Sequence, residues 1–275
     1  MIKNLEYCIE PSRSRFFDWK ELWLYRELFY LFAWRDVKVK YKQTALGIAW
    51  VILQPFLSVL VFTLFIGQAL KVPSAGLPYP VFVFSGLLFW TLFSSSVNAA
   101  GNSMVANAPI INKIYFPRII IPVSSVLVSC LDFLISFAVF LVVMLIYDVE
   151  VTLTEMIIFW PLAITLMFAA TLGLSSLMAA LTVKYRDFRF IVPFALQIGL
   201  FVTPVIYPAS IVSNEVIRLI ASLNPLYGVI MLFRAPFGLP INNMELLISA
   251  GSGVCFLFCG LYYFRRTESY FADIA

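Results

Sequence analysis

The sequence predicts an all-α integral membrane protein with six transmembrane helices, an N-terminal interfacial helix and a re-entrant helix pair between spans five and six. Its composition excludes a soluble domain, because 62% of the 275 residues are hydrophobic and only 12% are charged, whereas soluble domains are about 25% charged. Long apolar runs without charge recur along the chain. Segments that cross lipid must be helical, since backbone amides in hydrocarbon have no water to bond.

Apolar runs of about 20 residues, the length that crosses the hydrocarbon core, locate the spans. We place the spans at residues 43–70, 80–100, 119–147, 156–183, 190–207 and 246–264. Pro78 and Pro80 open the second span, and Arg265 and Arg266 stop the last one. Residues 43–264 therefore form one transmembrane domain, which lies between an N-terminal segment at 1–42 and a C-terminal segment at 265–275.

One apolar segment does not fit the pattern of spans. Residues 219–233 are too few to cross a bilayer, and Asn224-Pro225 interrupts them. Irregular backbone is tolerated at membrane depth only where protein or a water-filled cavity covers it. We therefore predict that residues 208–240 form a re-entrant pair of short helices.

The distribution of Lys and Arg predicts the orientation. Of the 19 Lys and Arg residues, 16 lie in the N-terminal segment, the 101–118 loop, the 182–189 loop and the C-terminal segment, which six spans place on one side. Positive charges collect on the cytoplasmic side, so both termini are predicted to be cytoplasmic. The net charge of +4 is therefore a signal of topology and gives no reason to expect nucleic-acid binding.

Residues 19–34, which precede the first span, mix aromatic rings with charges. Trp23 and Trp34 alternate with Lys20, Arg26 and Glu27, a mixture typical of the lipid headgroup region. The sequence predicts an interfacial helix here. Two roles remain open for this helix, which are anchoring the N-terminus and shaping an entrance for a substrate.

Four strings of residues carry a family resemblance. They are Arg35-Asp36-Val37-Lys38-Val39-Lys40-Tyr41-Lys42-Gln43-Thr44 with Trp50 and Gln54-Pro55; Ser85-Gly86-Leu87 with Phe116-Pro117-Arg118; Tyr185-Arg186-Asp187 with Pro204-Val205-Ile206-Tyr207-Pro208; and Asn224-Pro225 with Arg234. In this order they resemble bacterial ABC-2 type permeases, which export O-antigen, capsule and teichoic acid chains. The resemblance runs from about residue 20 to the end, although Lys38, Lys40 and Lys42 alone are equally typical of an interface anchor.

The resemblance implies a permease that a separate ATPase drives. The chain contains no G-x-x-x-x-G-K-[ST] loop to hold nucleotide phosphates. ATP and Mg²⁺ are therefore expected on a pair of nucleotide-binding subunits, and a second copy of the permease is expected to complete the pore. No catalytic residue, metal ligand or cofactor is predicted for this chain itself. The expected location is the bacterial cytoplasmic (inner) membrane, where lipid surrounds the spans.

The 101–118 loop is the predicted contact with the ATPase. In the family this segment is a coupling helix, and here we expect a short polar helix that ends at Pro117. The candidate coupling residues are Asn102, Ser103, Asn107, Lys113 and Arg118, with Tyr185, Arg186 and Asp187 in a second, shorter loop. An ordinary connecting loop with two positive-inside charges is the alternative.

The cargo that the resemblance implies is a polysaccharide attached to a lipid carrier, with O-antigen as the expected glycan. Its headgroup would enter beside Trp23, Trp34, Arg35, Lys38 and Lys40. Aromatic residues make up 17% of the chain, and flat rings can stack on sugar faces. The predicted substrate path carries Trp90, Phe93, Tyr207, Asn224 and Arg234, although most rings in the chain must face lipid or neighbouring helices.

Asp132 lies within the third predicted span, where a carboxylate is costly and is either functional or paired. It is either a proton or cation relay, or an acid that is held near a helix end or hydrogen-bonded to neighbours such as Ser129 or Ser136 at helical spacing. The sequence shows no cationic partner within a span, which favours the second interpretation.

Arg234 is the other charge in apolar surroundings. Its guanidinium can contact an anionic headgroup, or it can pair with Glu215 or Glu245 near the mouth of the path. Pairing or snorkelling is the favoured expectation.

Two other classes of function remain as alternatives. A secondary transporter or flippase of lipid-linked glycans would need coupling-ion sites, usually with several buried acids, and Asp132 is the one candidate. A membrane glycosyltransferase would need paired carboxylates or metal ligands near the interface. The acids Asp36, Asp187 and Asp273 are scattered and the chain has no histidine, so we rank both classes below the exporter.

Overall fold

The computed structural model of the protein describes residues 19–42 and 49–268. These residues form eleven α-helices and, within the two described stretches, no strand. The helices are α1 (Trp19–Leu24), α2 (Arg26–Lys42), α3 (Ala49–Phe62), α4 (Tyr79–Ala106), α5 (Ala108–Ile111), α6 (Ile120–Ile146), α7 (Leu153–Lys184), α8 (Phe188–Val202), α9 (Glu215–Ser222), α10 (Pro225–Arg234) and α11 (Asn243–Glu268). The predicted all-α membrane protein is confirmed.

Five of these helices are long and apolar enough to cross a membrane. They are α4, α6, α7, α11 and α3 together with its π-helical continuation, which spans Ala49–Ala69. Pro78 precedes α4 and Pro80 lies in its first turn, where a missing N–H removes no helical hydrogen bond. Helix α8 has only 15 residues. Helices α9 and α10 reach sufficient length only as a pair, and their axes meet at 100°.

At one end of the bundle, α2 and the end of the last helix, α11, pack into the same apolar cluster. Phe32 of α2, Met104 of α4, Phe116, Val183 of α7 and Phe264 of α11 belong to one buried apolar cluster. We call the end that these five residues define the termini end. The described parts of the four basic segments therefore meet at the same end of the bundle, as the loop charges predict.

The contacts around α8 show that this short helix crosses the bundle. Helix α7 finishes at the termini end, whereas α11 starts at the opposite end, so the chain between them must cross an odd number of times. The Tyr79 hydroxyl, at the start of α4, donates to the carbonyl of Ile206 at 2.8 Å. Because α8 starts directly after α7 and is followed by Ile206 at the opposite end, α8 completes the crossing.

The bent pair α9–α10 enters and leaves at the same end. Arg218 of α9 lies 3.6 Å from the Glu245 carboxylate at the start of α11. At the other limb, Arg234 of α10 donates to the carbonyl of Phe82 near the start of α4. Both limbs therefore lie opposite the termini end. The fold has six crossings and one re-entrant pair, as predicted.

An aromatic cluster holds the second limb of this pair inside the bundle. The centroid of the Phe233 ring lies 4.7 Å from that of Phe89 and 4.7 Å from that of Trp160, and Phe137 and Phe140 flank it. The Trp160 indole N–H also donates to the Phe233 carbonyl at 3.1 Å. These rings serve as packing for α10.

Two glycines allow α7 and α11 to cross in direct backbone contact. A Cβ added to Gly260 would overlap the carbonyl of Gly173, and a Cβ added to Gly173 would overlap the backbone of Phe256 and Leu257. Small residues let membrane helices approach closely, which is how such helices associate where lipid offers no hydrophobic driving force.

Replacing Gly260 by alanine should lower the free energy of unfolding by about 2 kcal/mol or more, because overpacking forces the two backbones apart. Thermal unfolding of the detergent-solubilised protein measures this effect. Gly251→Ala is the matched control, since the same helix has open space at that position and alanine favours helix. An equal melting temperature for Gly260→Ala and the wild type would contradict the close crossing.

Candidate functional site

Arg234, at the end of α10, is buried with 3% of its surface exposed. Its guanidinium donates to the carbonyls of Phe82, Pro204 and Val205, each at 2.8 Å, and to the Ser85 hydroxyl at 2.9 Å. The Phe82 ring lies beneath it, 3.7 Å from the guanidinium carbon to the ring centroid. Arg234 thus satisfies carbonyls of the irregular backbone after α8, which lipid cannot do.

The prediction that Arg234 pairs with Glu215 or Glu245 is wrong. Glu245 is itself buried and accepts a hydrogen bond from the Tyr227 hydroxyl at 2.7 Å, while Arg218 approaches its other oxygen. Because Arg234 itself is buried, its guanidinium cannot contact a lipid headgroup in this conformation. Backbone carbonyls take the place of the expected carboxylate, and no sequence pattern marks a carbonyl acceptor.

Asn224 fixes the bend between α9 and α10. Its side-chain oxygen accepts from the Leu226 N–H at 3.0 Å and so caps α10. Its amide group donates to the Thr203 hydroxyl at 2.6 Å, and its carbonyl accepts from the Ser249 hydroxyl at 3.0 Å. The bend is therefore tied both to the chain after α8 and to α11.

The five residues of the predicted substrate path do not share one cavity. Trp90, Phe93 and Asn224 line an apolar cavity of about 300 Å³ between α4, α7 and α8. Arg234 borders a larger cavity of about 610 Å³ beside α9 and α11. The Tyr207 hydroxyl donates to the last two carbonyls of α8 at 2.9 and 3.2 Å. The structure therefore groups three of the five, and the role of all five as a path stays a prediction.

Asp132 lies midway along α6 and is paired with the N-terminal helix. Lys40 forms an ion pair with its carboxylate, and the Tyr41 hydroxyl donates to it. Burial, together with the hydrogen bond to this carboxylate, raises the pKa of Tyr41. The prediction that Asp132 bonds to Ser129 or Ser136 is therefore wrong. The cationic partner comes from α2, 92 residues away in sequence, a separation at which pattern analysis shows no pairing.

The exposed surface of α1 and α2 presents aromatic rings and cations together. Arg26 lies over the ring of Trp23 at 5.4 Å, and Lys38 lies over Trp34 at 5.2 Å. The Arg35 guanidinium forms an ion pair with the carboxylate of the adjacent Asp36, with a nitrogen–oxygen distance of 2.7 Å. Rings and cations in contact suit the headgroup layer, where both meet polar lipid. Of the predicted entrance residues, Trp23 lies on α1 and the other four lie on α2, which Lys40 attaches to α6.

The polar residues of the predicted coupling segment mostly extend α4. Asn102 and Ser103 form its last turns, and Asn107 caps its end. Ser103 and Asn107 are buried, and the Asn107 amide donates to the Ser103 carbonyl at 2.8 Å. The prediction of a separate polar helix that ends at Pro117 is therefore wrong, because the helix that follows Asn107 is the four-residue α5.

The exposed part of the coupling region lies after α5 and after α7. Lys113 is exposed there, as are Tyr185, Arg186 and Asp187. Ile114 and Tyr115 are 61% and 73% exposed. Neither carries a charge, so the pattern of polar residues did not indicate them as part of the contact. We call Lys113, Ile114, Tyr115 and residues 185–187 the termini-end surface.

Arg118 attaches this region to the last helix. Its backbone N–H donates to the Glu268 carboxylate at 2.9 Å, and its guanidinium donates to the Glu268 carbonyl. Arg118 therefore acts within the protein as a link between the start of α6 and the end of α11.

The family profile and the individual relatives that this chain resembles agree with one another. Residues 27–238 match the sequence profile described as ABC-2 type transporter. The chain is 30% identical over 260 residues to the O-antigen export system permease protein RfbA of Myxococcus xanthus, covering 92% of this chain and 97% of that protein. It is 29% identical over 243 residues to the protein of the same name from Klebsiella pneumoniae, covering 87% and 92%. It is 24% identical over 239 residues to the polysialic acid transport protein KpsM of Escherichia coli, covering 85% and 91%.

Replacing Arg234 by alanine should leave membrane insertion intact but lower the free energy of unfolding by about 3 kcal/mol or more, because it leaves buried carbonyls without donors. Arg234→Lys should recover little of this loss, since an ammonium cannot reproduce the fork of donors. The measurement is the melting temperature of protein extracted from membranes. Arg189→Ala, which removes an exposed arginine of α8, serves as control, and equal stability of Arg234→Ala and the control would contradict the assignment.

Proposed function

Because the chain belongs to the ABC-2 type transporter family, we propose that it is the permease subunit of an ATP-driven exporter that moves a lipid-linked polysaccharide, O-antigen, across the cytoplasmic membrane. The similarity to O-antigen export permeases over nearly the whole chain supports the choice of cargo. The observation that carries the mechanism is the different character of the two ends. The termini end carries an exposed surface with an apolar centre and charged residues around it. The opposite end carries the bent helix pair α9–α10, whose polar groups bond within the protein.

In the proposed complex, two copies of this chain form the pore and two ATPase subunits bind ATP and Mg²⁺. The chain itself takes no cofactor and performs no chemistry. Both termini lie in the cytoplasm of the bacterial cell, and the protein resides in the inner membrane. The 16 Lys and Arg residues of the four basic segments support this orientation.

The ATPase subunits bind the termini-end surface in this proposal. Exposed Ile114 and Tyr115 supply apolar contact, while Lys113, Arg186 and Asp187 supply charges around them. This mixture of an apolar centre and a polar rim is typical of protein interfaces. The buried hydrogen bonds of Ser103 and Asn107 and the half-buried bonds of Arg118 to Glu268 hold the backbone beneath this surface in place.

The glycan carrier approaches along α2. Its exposed rings and cations lie beside the spans, at the end where the cargo is made in this proposal. The bend at Asn224 and the buried Arg234 then shape the outer mouth. A path that begins at α2 and ends at the re-entrant pair extends over the full height of the bundle.

The alternative of a secondary transporter gains no support from Asp132. Such transporters need an acid that can bind a coupling ion or exchange a proton. Here Lys40 and Tyr41 occupy the two carboxylate oxygens of Asp132. We therefore retain the ATP-driven mechanism, with the glycosyltransferase as the less favoured alternative.

The chain should copurify with a P-loop ATPase encoded beside it, and lipid-linked glycan should accelerate ATP hydrolysis by this complex. Replacing Lys113 and Ile114 together by serine should reduce copurification about tenfold, because it removes interface contacts. The matched control is Leu153→Ser, an exposed apolar residue at the opposite end. Glycan transport by the chain without any ATPase would contradict the proposal.

A further inference from the structure

A polar cavity of about 410 Å³ lies between α3, α4, α6 and α8, at the end of α2. Hydroxyl and amide side chains dominate its polar lining, which includes Gln54, Ser94, Ser95, Asn98, Ser129 and Ser136. These residues belong to helices that cross the membrane, where such groups are expensive unless they find partners. The volume is within the range of small-molecule sites, about 300–1,000 Å³.

Two serines in this cavity are buried and have no hydrogen-bond partner among the described residues. Ser129 and Ser136 are 3% and 6% exposed. They lie on α6, two turns apart, and both contribute to the cavity wall. By contrast Ser124, on the same helix, donates to the carbonyl of Ile121 at 2.8 Å. Neither serine is among the fully enclosed hydroxyls that lack a partner, so the oxygens of Ser129 and Ser136 open onto the cavity, where a polar ligand or water can bond to them.

The charges at the edge of the cavity cancel. Lys40 and Asp132 both line it and form an ion pair with each other. Trp50, also in the wall, is 49% exposed and presents an indole ring. A cavity with many hydrogen-bonding groups, an aromatic ring and no net charge suits an uncharged ligand with several hydroxyls.

We propose that this cavity is a glycan subsite that binds one uncharged sugar unit during transport. The sugar hydroxyls bond to Ser129, Ser136 and Gln54, and its apolar face lies against Trp50. The Lys40–Asp132 pair closes the end of the cavity next to α2. This inference rests on the proposed function and specifies where on the chain the exported glycan is held.

The first test measures export by the complex of permease and ATPase reconstituted in liposomes. Ser129→Ala combined with Ser136→Ala should lower the rate of glycan export about tenfold, because two bonds to the sugar are lost. Ser124→Ala is the matched control, since it removes a buried serine hydroxyl of the same helix that bonds only within α6. Equal export by the double variant and the wild type would overturn the subsite and leave the proposed function standing. Failure of the wild-type complex to export any glycan would refute the proposed function itself.

The second test measures occupancy directly and does not depend on export. Ser136→Cys, in a chain whose four native cysteines are replaced, should react with a small hydrophilic thiol reagent. Lipid-linked glycan extracted from the host membrane should slow this reaction, whereas the carrier lipid phosphate without sugar should not. Protection by neither probe would show a cavity that holds only water, and protection by both would show a lipid site. Either result would overturn the proposal.

Discussion

A buried guanidinium stabilises the part of the fold that departs from simple helical spans. After α8 the chain leaves helical geometry within an apolar bundle, and its carbonyls need donors that lipid cannot supply. Arg234 supplies those donors in a fixed planar arrangement. It bonds at once to the start of α4 and to the residues after α8. Three segments that are distant in sequence are therefore held together by one side chain, and the re-entrant pair depends on this contact.

In the proposed complex, the same contact would give α4 a mechanical role. This helix runs without a break from Tyr79 to Ala106, so its first turns contact Arg234 while its last turns support the termini-end surface. Movement of that surface by a bound ATPase would displace α4 and, through Phe82 and Ser85, the re-entrant pair. Coupling between distant sites is carried by rigid elements that have two discrete arrangements, and in the proposed complex α4 is the element that connects the two sites. The Arg118–Glu268 contact adds α11 to the same assembly.

Hydropathy and charge predicted the architecture because each span is a local property of the chain. The short α8 and the break at Asn224-Pro225 were both evident, since apolar length and proline are visible in sequence. Partners were not predictable where they are distant in the chain or are backbone atoms. Asp132 meets Lys40 across 92 residues, and Arg234 bonds to carbonyls. The sequence suggested Ser129 and Ser136 as partners of Asp132, because only the fold shows which serines bond to a neighbour and which face a cavity.

The central claim is that α9–α10 enters and leaves on the outer side, so that Arg234 shapes an outer mouth. Accessibility of single cysteines from outside the cell tests it most directly. Ile211 and Met244 are both exposed and lie on either side of the re-entrant pair. In a chain without native cysteines, Ile211→Cys and Met244→Cys should both react with a membrane-impermeant thiol reagent, whereas Tyr115→Cys should react only after the membrane is opened. If Ile211→Cys and Met244→Cys reacted from opposite sides, the pair would be a crossing and the account would be wrong.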